Sequence, residues 1–228
     1  MAGTASARVA VAGATGLIGR ALLARLATDA RVGAITALVR QPAALGAQRP
    51  KVQPLVADYA ALGRSQLLPP LDWAFCCLGT TIKVAGSQAA FRAVDVDAVL
   101  AFAQAARAAG AGRFGLVSAM GADARSSVFY NRCKGEVEQA LASQGWPQLV
   151  VARPSLLLGE RQALGQPARP MESLAQRLMP AVGWLIPASV RPIQADAVAA
   201  ALLQAVAAGA PGVTMLLSHQ LQALADRA

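Results

Sequence analysis

The feature that most restricts this chain is a regular alternation. Short apolar runs recur: "RVAVAG" (8–13), "ITALV" (35–39), "VQPLVAD" (52–58), "WAFCCLG" (73–79), "FGLVS" (114–118) and "LVVAR" (149–153). Between several of them lie longer segments with helical periodicity, at 16–28, 88–109 and 127–144. Strands that are apolar throughout are buried on both faces, and a helix between successive strands makes those strands parallel. The fold class that follows is α/β, a doubly wound, mostly parallel sheet in three layers, α/β/α. A late helix at about 194–208, a strand "GVTMLL" (212–217) and a final helix from Ser218 close the chain.

No internal repeat or linker divides the sequence, so 1–228 reads as a single domain. Its least regular part is 159–193, punctuated by Gly159, Gly165, Pro167, Pro170, Pro180, Gly183, Pro187 and Pro192. A long Pro-rich excursion in a compact domain reads as a substrate-side loop or lid. Its apolar residues, Met179, Val182, Trp184, Leu185 and Ile186, line a pocket or cover the sheet; the pattern leaves both open.

"VAVAGATGLIGRALLARL" (9–26) places Gly13, Gly16 and Gly19 between the first strand and the first amphipathic helix, with Ala14, Thr15, Leu17 and Ile18 between them. Glycines there permit a tight turn and let a pyrophosphate approach the free amides at the helix N-terminus, where the dipole favours an anion. An ordinary strand–helix turn is the plainer alternative. The second strand ends in "ALVRQP", and no acid lies between Ala30 and Asp58. A carboxylate at that strand end would take the ribose hydroxyls of NAD, whereas the Arg40 guanidinium suits a 2′-phosphate. NADP(H) is therefore expected over NAD(H). Asp58, after the third strand, either accepts from the adenine amino group or caps the following turn.

Against this frame, "SSVFYNRCKGEVEQAL" (126–141) sets Tyr130 one helical turn before Lys134, in a chain with 2 tyrosines. Side chains at i and i+4 share a helix face. An ammonium beside a phenol favours the phenolate and brings proton exchange toward neutral pH. Tyr130 then gives a proton to a carbonyl, or takes one from an alcohol. Lys134 would also hold the nicotinamide ribose, and Ser118, ending the fifth strand at the ligand-binding edge, would hydrogen-bond the substrate oxygen. A packing pair, with Lys134 snorkelling past Tyr130, is the alternative.

Composition excludes other chemistries. Cys76, Cys77 and Cys133 show neither a disulfide framework nor a metal-ligand spacing, and a single histidine near the C-terminus argues against a His-based triad or a zinc site. Reduced cysteines and the lack of a secretory pattern in residues 1–15 make a cytoplasmic location the expectation. The longest uncharged run, Asp196 to Asp226, is broken by Pro211 and Gly212, so no membrane span is expected. The net charge of +9 comes from scattered arginines with no basic run and few aromatics. That points to a small anionic ligand; no nucleic-acid partner is expected.

Together, "GATGLIG", "SAMGAD" and "YNRCK" resemble an atypical short-chain dehydrogenase/reductase. "CCLGTT" (76–81), "VDVDAVLAFAQAARAAG" (94–110), "SAMGADARSSVFYNRCKGEVE" (118–138) and "ARPSLLLGERQ" (152–162) resemble more closely the oxidoreductase-like Tat-interacting protein family, from about residue 8 to about 200. The resemblance implies a Rossmann-like NADP-binding domain with Tyr130 as proton donor/acceptor and Lys134 beside it. It also implies that Leu78 and Gly79 run along the cofactor, and that "ARPSLLLGER" brings Leu156 and Arg161 to the nicotinamide end. Two departures stand out. Ala119 follows Ser118 where the family often has a second serine, and Asp95 replaces the Asn that many short-chain dehydrogenases use in a proton relay. Fold analogy makes helices 88–109 and 127–144 candidates for pairing across a two-fold as a homodimer. The expected function is an NADP(H)-dependent oxidoreductase acting on a small carbonyl/alcohol substrate. A non-catalytic NADP(H)-binding redox regulator is the alternative from another class. Sugar-nucleotide epimerisation or dehydration comes third, because 159–193 looks short for that subdomain.

Overall fold

The computed structural model describes residues 6–41, 45, 50–62, 64, 67–158 and 191–227. Seven strands form its main sheet: β1 (Ala7–Ala12), β2 (Val32–Val39), β3 (Val52–Val56), β4 (Trp73–Cys76), β5 (Arg113–Val117), β6 (Gln148–Arg153) and β9 (Gly212–Leu217). They lie in the order β3-β2-β1-β4-β5-β6-β9, and every neighbouring pair is parallel. The chain winds one way from β1 to β3, then returns past β1 to lay down β4 and the rest. The crevice outside the carboxyl ends of β1 and β4 is therefore the topological switch point, where such sheets bind ligands.

Side-chain alternation divides the core in two. Val9, Val11, Trp73, Phe75, Val150 and Ala152 face α1 (Leu17–Thr28) and α6 (Ala195–Ala208). Ala10, Ala12, Ala74, Cys76, Leu149 and Val151 face α4 (Ala98–Ala108) and α5 (Phe129–Ser143). With both faces covered, the inner strands tolerate almost no polar residue, which explains their continuous apolar runs; the edge strands β3 and β9 are largely exposed. Each fully buried Leu or Phe contributes about 1.5–3 kcal/mol; Leu22, Leu23, Leu26, Phe102 and Phe114 are among those that fix the layers. The final helix, α7 (Ser218–Ala225), packs on α6.

Three features depart from the sequence reading. β4 stops at Cys76, leaving "CLGTT" as an extended segment whose Cys77 amide still bonds the Ala12 carbonyl at 2.8 Å. The expected helix 88–109 is α3 (Gln88–Arg92), a π turn (Ala93–Asp97) and then α4. Ahead of it, α2 (Ile82–Ala85) is capped by the Thr81 hydroxyl. A second sheet pairs β7 (Leu157–Leu158) with β8 (Ile193–Gln194). The excursion proper, 159–190, with Arg161 and the apolar residues assigned to it, lies outside the described residues.

Candidate active site

The glycine turn is built by close approach. Gly13 has φ +74°, and a Cβ on it would stand 2.5 Å from both the carbonyl carbon and oxygen of Cys77. A Cβ on Gly19 would meet the Gly13 carbonyl oxygen at 2.1 Å, so α1 rests directly on the turn. Gly16 caps α1 with no side-chain hydrogen bond and no acid in the first turn. The first amides of α1 therefore keep donors for an anion. Ala14 and Ile18 are buried beneath the turn, while Thr15, Gly16 and Leu17 form its half-buried rim. The Arg20 guanidinium donates to the Thr15 carbonyl at 3.0 Å.

Arg40 is exposed just beyond β2, at the same edge. Tyr59, which sequence reasoning missed, lies between the two features. Burial and the nearby Cys76 thiol push its phenol well above the usual tyrosine value, partly offset by the Gly13 amide and Arg40. Asp58 Oδ1 accepts from the Ala60 amide at 2.9 Å, within the turn that follows β3.

From the turn, the backbone leads to Lys134. Cys77 and Leu78 lie against Gly13; the next residue, Gly79, faces Lys134, whose Nζ would be 3.7 Å from a Cβ placed there. Tyr130 and Lys134 project from the first turns of α5. Phe91 braces that helix end, with its ring 5.6 Å from Phe129 and 5.7 Å from Tyr130, centroid to centroid. The Lys134 side chain is 6% exposed and its Nζ lies 2.8 Å from Oδ1 of Asp95, which is 0% exposed. The contact is a buried ion pair, and no other group among the described residues donates to Oδ1. Oδ2 accepts from the Thr80 amide at 2.8 Å. Burial alone would favour the neutral amine of Lys134; the charges of Asp95 and Tyr130 outweigh it and hold the ammonium above the usual lysine value.

Ser118 sits differently from its expected role. Its hydroxyl donates to Glu138 Oε1 at 2.5 Å, and the Arg153 guanidinium grips both oxygens of Glu138. Holding a carbonyl oxygen would require the same proton, which in this arrangement goes to the buried Glu138. Glu138 is one helical turn past Lys134; a buried glutamate demands a cation, but nothing local in the sequence names Arg153 as its partner. Leu156 is half-buried, and its carbonyl accepts from the Ile193 amide at 2.9 Å, tying "ARPS" to β8. Burial pushes the Cys76 thiol up to about 12, which removes it as a nucleophile near neutral pH.

With this geometry in place, comparison with known proteins decides the family. The family described as NAD(P)H-binding matches residues 13–156. The chain belongs to this family, among the atypical short-chain dehydrogenase/reductases. One relative, Protein fmp52, mitochondrial, of Emericella nidulans, is 35% identical over 182 residues, covering 78% of this chain and 76% of its own length. Protein HTATIP2 of Rattus norvegicus is 44% identical over 106 residues, 46% of this chain and 42% of the relative. A short-chain dehydrogenase/reductase family oxidoreductase from Burkholderia thailandensis superposes with TM-score 0.68 at 21% identity, over 95% of this chain and 93% of that one. MoeE5, solved with UDP-glucose and NAD, gives TM-score 0.68 at 15% identity, over 96% and 81%. At such identities the solved structures show a shared fold and nothing more.

The relatives also correct the cytoplasmic expectation. The fmp52 proteins of Emericella nidulans, Coccidioides immitis and Aspergillus niger are all named mitochondrial. The expectation rested on cysteines kept as thiols and on the lack of a secretory pattern, neither of which separates cytosol from organelle.

Proposed function

We propose that this protein is an NADP(H)-dependent oxidoreductase that interconverts a small carbonyl compound and its alcohol. One observation carries the reading: an unbroken path of contacts from Gly13 through Cys77 and Leu78 to Gly79, and across to Lys134 and Asp95. A dinucleotide fits that path. The turn offers close backbone approach and free amides, and at its far end the side-chain-less Gly79 faces both Nζ of Lys134 and Oδ1 of Asp95. Gly13, Ala14, Thr15, Gly16, Leu17, Ile18 and Gly19 would hold the pyrophosphate and Arg40 the 2′-phosphate. Leu78, Gly79, Leu156 and Lys134 would hold the nicotinamide half.

When bound, the reduced coenzyme supplies hydride to the carbonyl carbon, and the oxidised form accepts it in reverse. Tyr130 supplies the matching proton from its hydroxyl to the carbonyl oxygen, so a C=O bond becomes CH–OH. The phenolate left behind is balanced by the Lys134 ammonium. Ser118 is given no proton to move. An NADPH-oxidation screen over aldehydes, ketones and quinones, with Tyr130→Phe as control, tests this. Turnover abolished by the substitution supports it; turnover that survives removes Tyr130 from the mechanism.

A second reading, a cofactor-binding redox regulator without turnover, draws on one observation. Ala119 follows Ser118, and the Ser118 hydroxyl is taken by Glu138, so Tyr130 would have to polarise the carbonyl without a serine. NADPH binding with no oxidation of any carbonyl in the screen would favour it.

A further inference from the structure

We propose that Asp95 is a positioning residue: it holds Lys134 charged and fixed at the carboxyl edge of the sheet. Its catalytic meaning rests on the oxidoreductase reading, but its central measurement needs no turnover. The delivery of Asp95 is specific. The helix that carries it widens into a π turn only at Ala93–Asp97, and such turns recur at functional positions. Asp95 points inward while Asp97, in the same turn, is exposed. The Thr80 amide fixes Oδ2, which leaves Oδ1 to face the ammonium.

A buried lysine with no counter-charge loses its proton, because desolvation penalises the ammonium. The groups around Lys134 make Asp95 the decisive one. Tyr130 lies on its own helix, Asp95 comes from the π turn, and the Cys76 thiol comes from the end of β4. On α4 the charged residue is Arg107, at its far end over Trp146. On β6, Arg153 is taken by Glu138. Of these groups, the Asp95 carboxylate is the one in direct contact with the ammonium, its Oδ1 2.8 Å from Nζ, so it supplies the main charge that offsets burial. An amide in its place would accept a hydrogen bond but supply no charge.

The sign of the pH dependence separates this role from simple packing. In the native protein the folded value of Lys134 is raised, so its stabilisation is complete below the unfolded lysine value and is lost only above it. In Asp95→Asn, the largest opposition to burial is gone and the folded value drops below the unfolded one. Stability then rises with pH as the buried ammonium sheds its proton. We expect the urea midpoint of Asp95→Asn to climb between about pH 8 and about pH 10, while the native midpoint stays level or falls. Asp95→Asn/Lys134→Met, which removes both charges, should lose the climb.

Equal pH slopes for native protein and Asp95→Asn would overturn the proposal. If Asp95→Asn folds at no pH, the side-chain amine signal of Lys134 in the native protein decides. An ammonium that persists past about pH 10 supports the role, and a neutral amine below that overturns it. Where turnover is found, the alkaline limb of kcat/KM should move down by at least about one pH unit in Asp95→Asn and recover in Asp95→Glu. An unmoved limb would confine Asp95 to structure.

Discussion

Substituting Gly13 by alanine gives the sharpest test of how the turn is made. At φ +74° an L side chain costs about 1–2 kcal/mol. The added methyl would also lie 2.5 Å from the Cys77 carbonyl and 2.7 Å from the Leu78 nitrogen, both backbone atoms that can yield only if the segment after β4 moves. Overpacking of that kind costs about 1–3 kcal/mol, giving roughly 2–5 kcal/mol in total. In a domain of this size that lowers Tm by roughly 4–20 °C. Gly16→Ala is the internal control. Its φ of −74° suits any residue, and the nearest atom to a Cβ there is the Gly13 oxygen at 3.3 Å. Its Tm should change by only a few degrees, about 1 kcal/mol or less, while the methyl on the approach to the α1 amides weakens coenzyme binding about tenfold or more. Calorimetry and equilibrium NADPH titration of both variants read this out. Equal Tm losses at the two positions, or a Gly13→Ala protein as stable as the native one, would refute the close-approach account.

Arg40→Ala should lose about 1.5–3 kcal/mol of NADPH affinity and little NADH affinity, as expected for one charge-assisted contact to a 2′-phosphate; equal losses in paired titrations would refute the assignment. Ser118→Ala should leave kcat within about threefold of native, where loss of a donor to the reacting oxygen costs about a hundredfold or more. It should lower stability by about 1–3 kcal/mol, because Glu138 loses a buried partner. At acid pH, the Arg31 guanidinium holds the Asp29 carboxyl below its usual value, so its stabilisation is present above about pH 4 and lost as pH falls through the lower folded value. Asp29→Asn should flatten that part of the acid-stability curve, and an unchanged slope would refute the contribution.

Legibility in the sequence followed the range of the interactions. Parallel strands could be read because burial on both faces leaves an unbroken apolar run, as in Val9–Ala12 and Leu149–Ala152. The glycine turn and the spacing of Tyr130 and Lys134 are local patterns and were equally visible. What stayed hidden depends on residues distant in the chain. Nothing near Asp95 shows that a π turn will aim it at Lys134, and nothing near Glu138 shows that Arg153 and Ser118 will meet there. The serine was assigned to substrate because its place at the strand end is visible, whereas the direction of its hydroxyl is set by α5. The two-residue strands Leu157–Leu158 and Ile193–Gln194 are too short for any periodicity to reveal them.

The proposed chemistry requires one continuous groove from the glycine turn to the phenol of Tyr130. A crystal structure of the protein with NADP⁺ tests it most directly. The pyrophosphate is expected over the N-terminus of α1, the ribose hydroxyls on Lys134 Nζ, and the nicotinamide beside the Tyr130 hydroxyl. A coenzyme bound elsewhere, or a nicotinamide directed away from Tyr130, would contradict it.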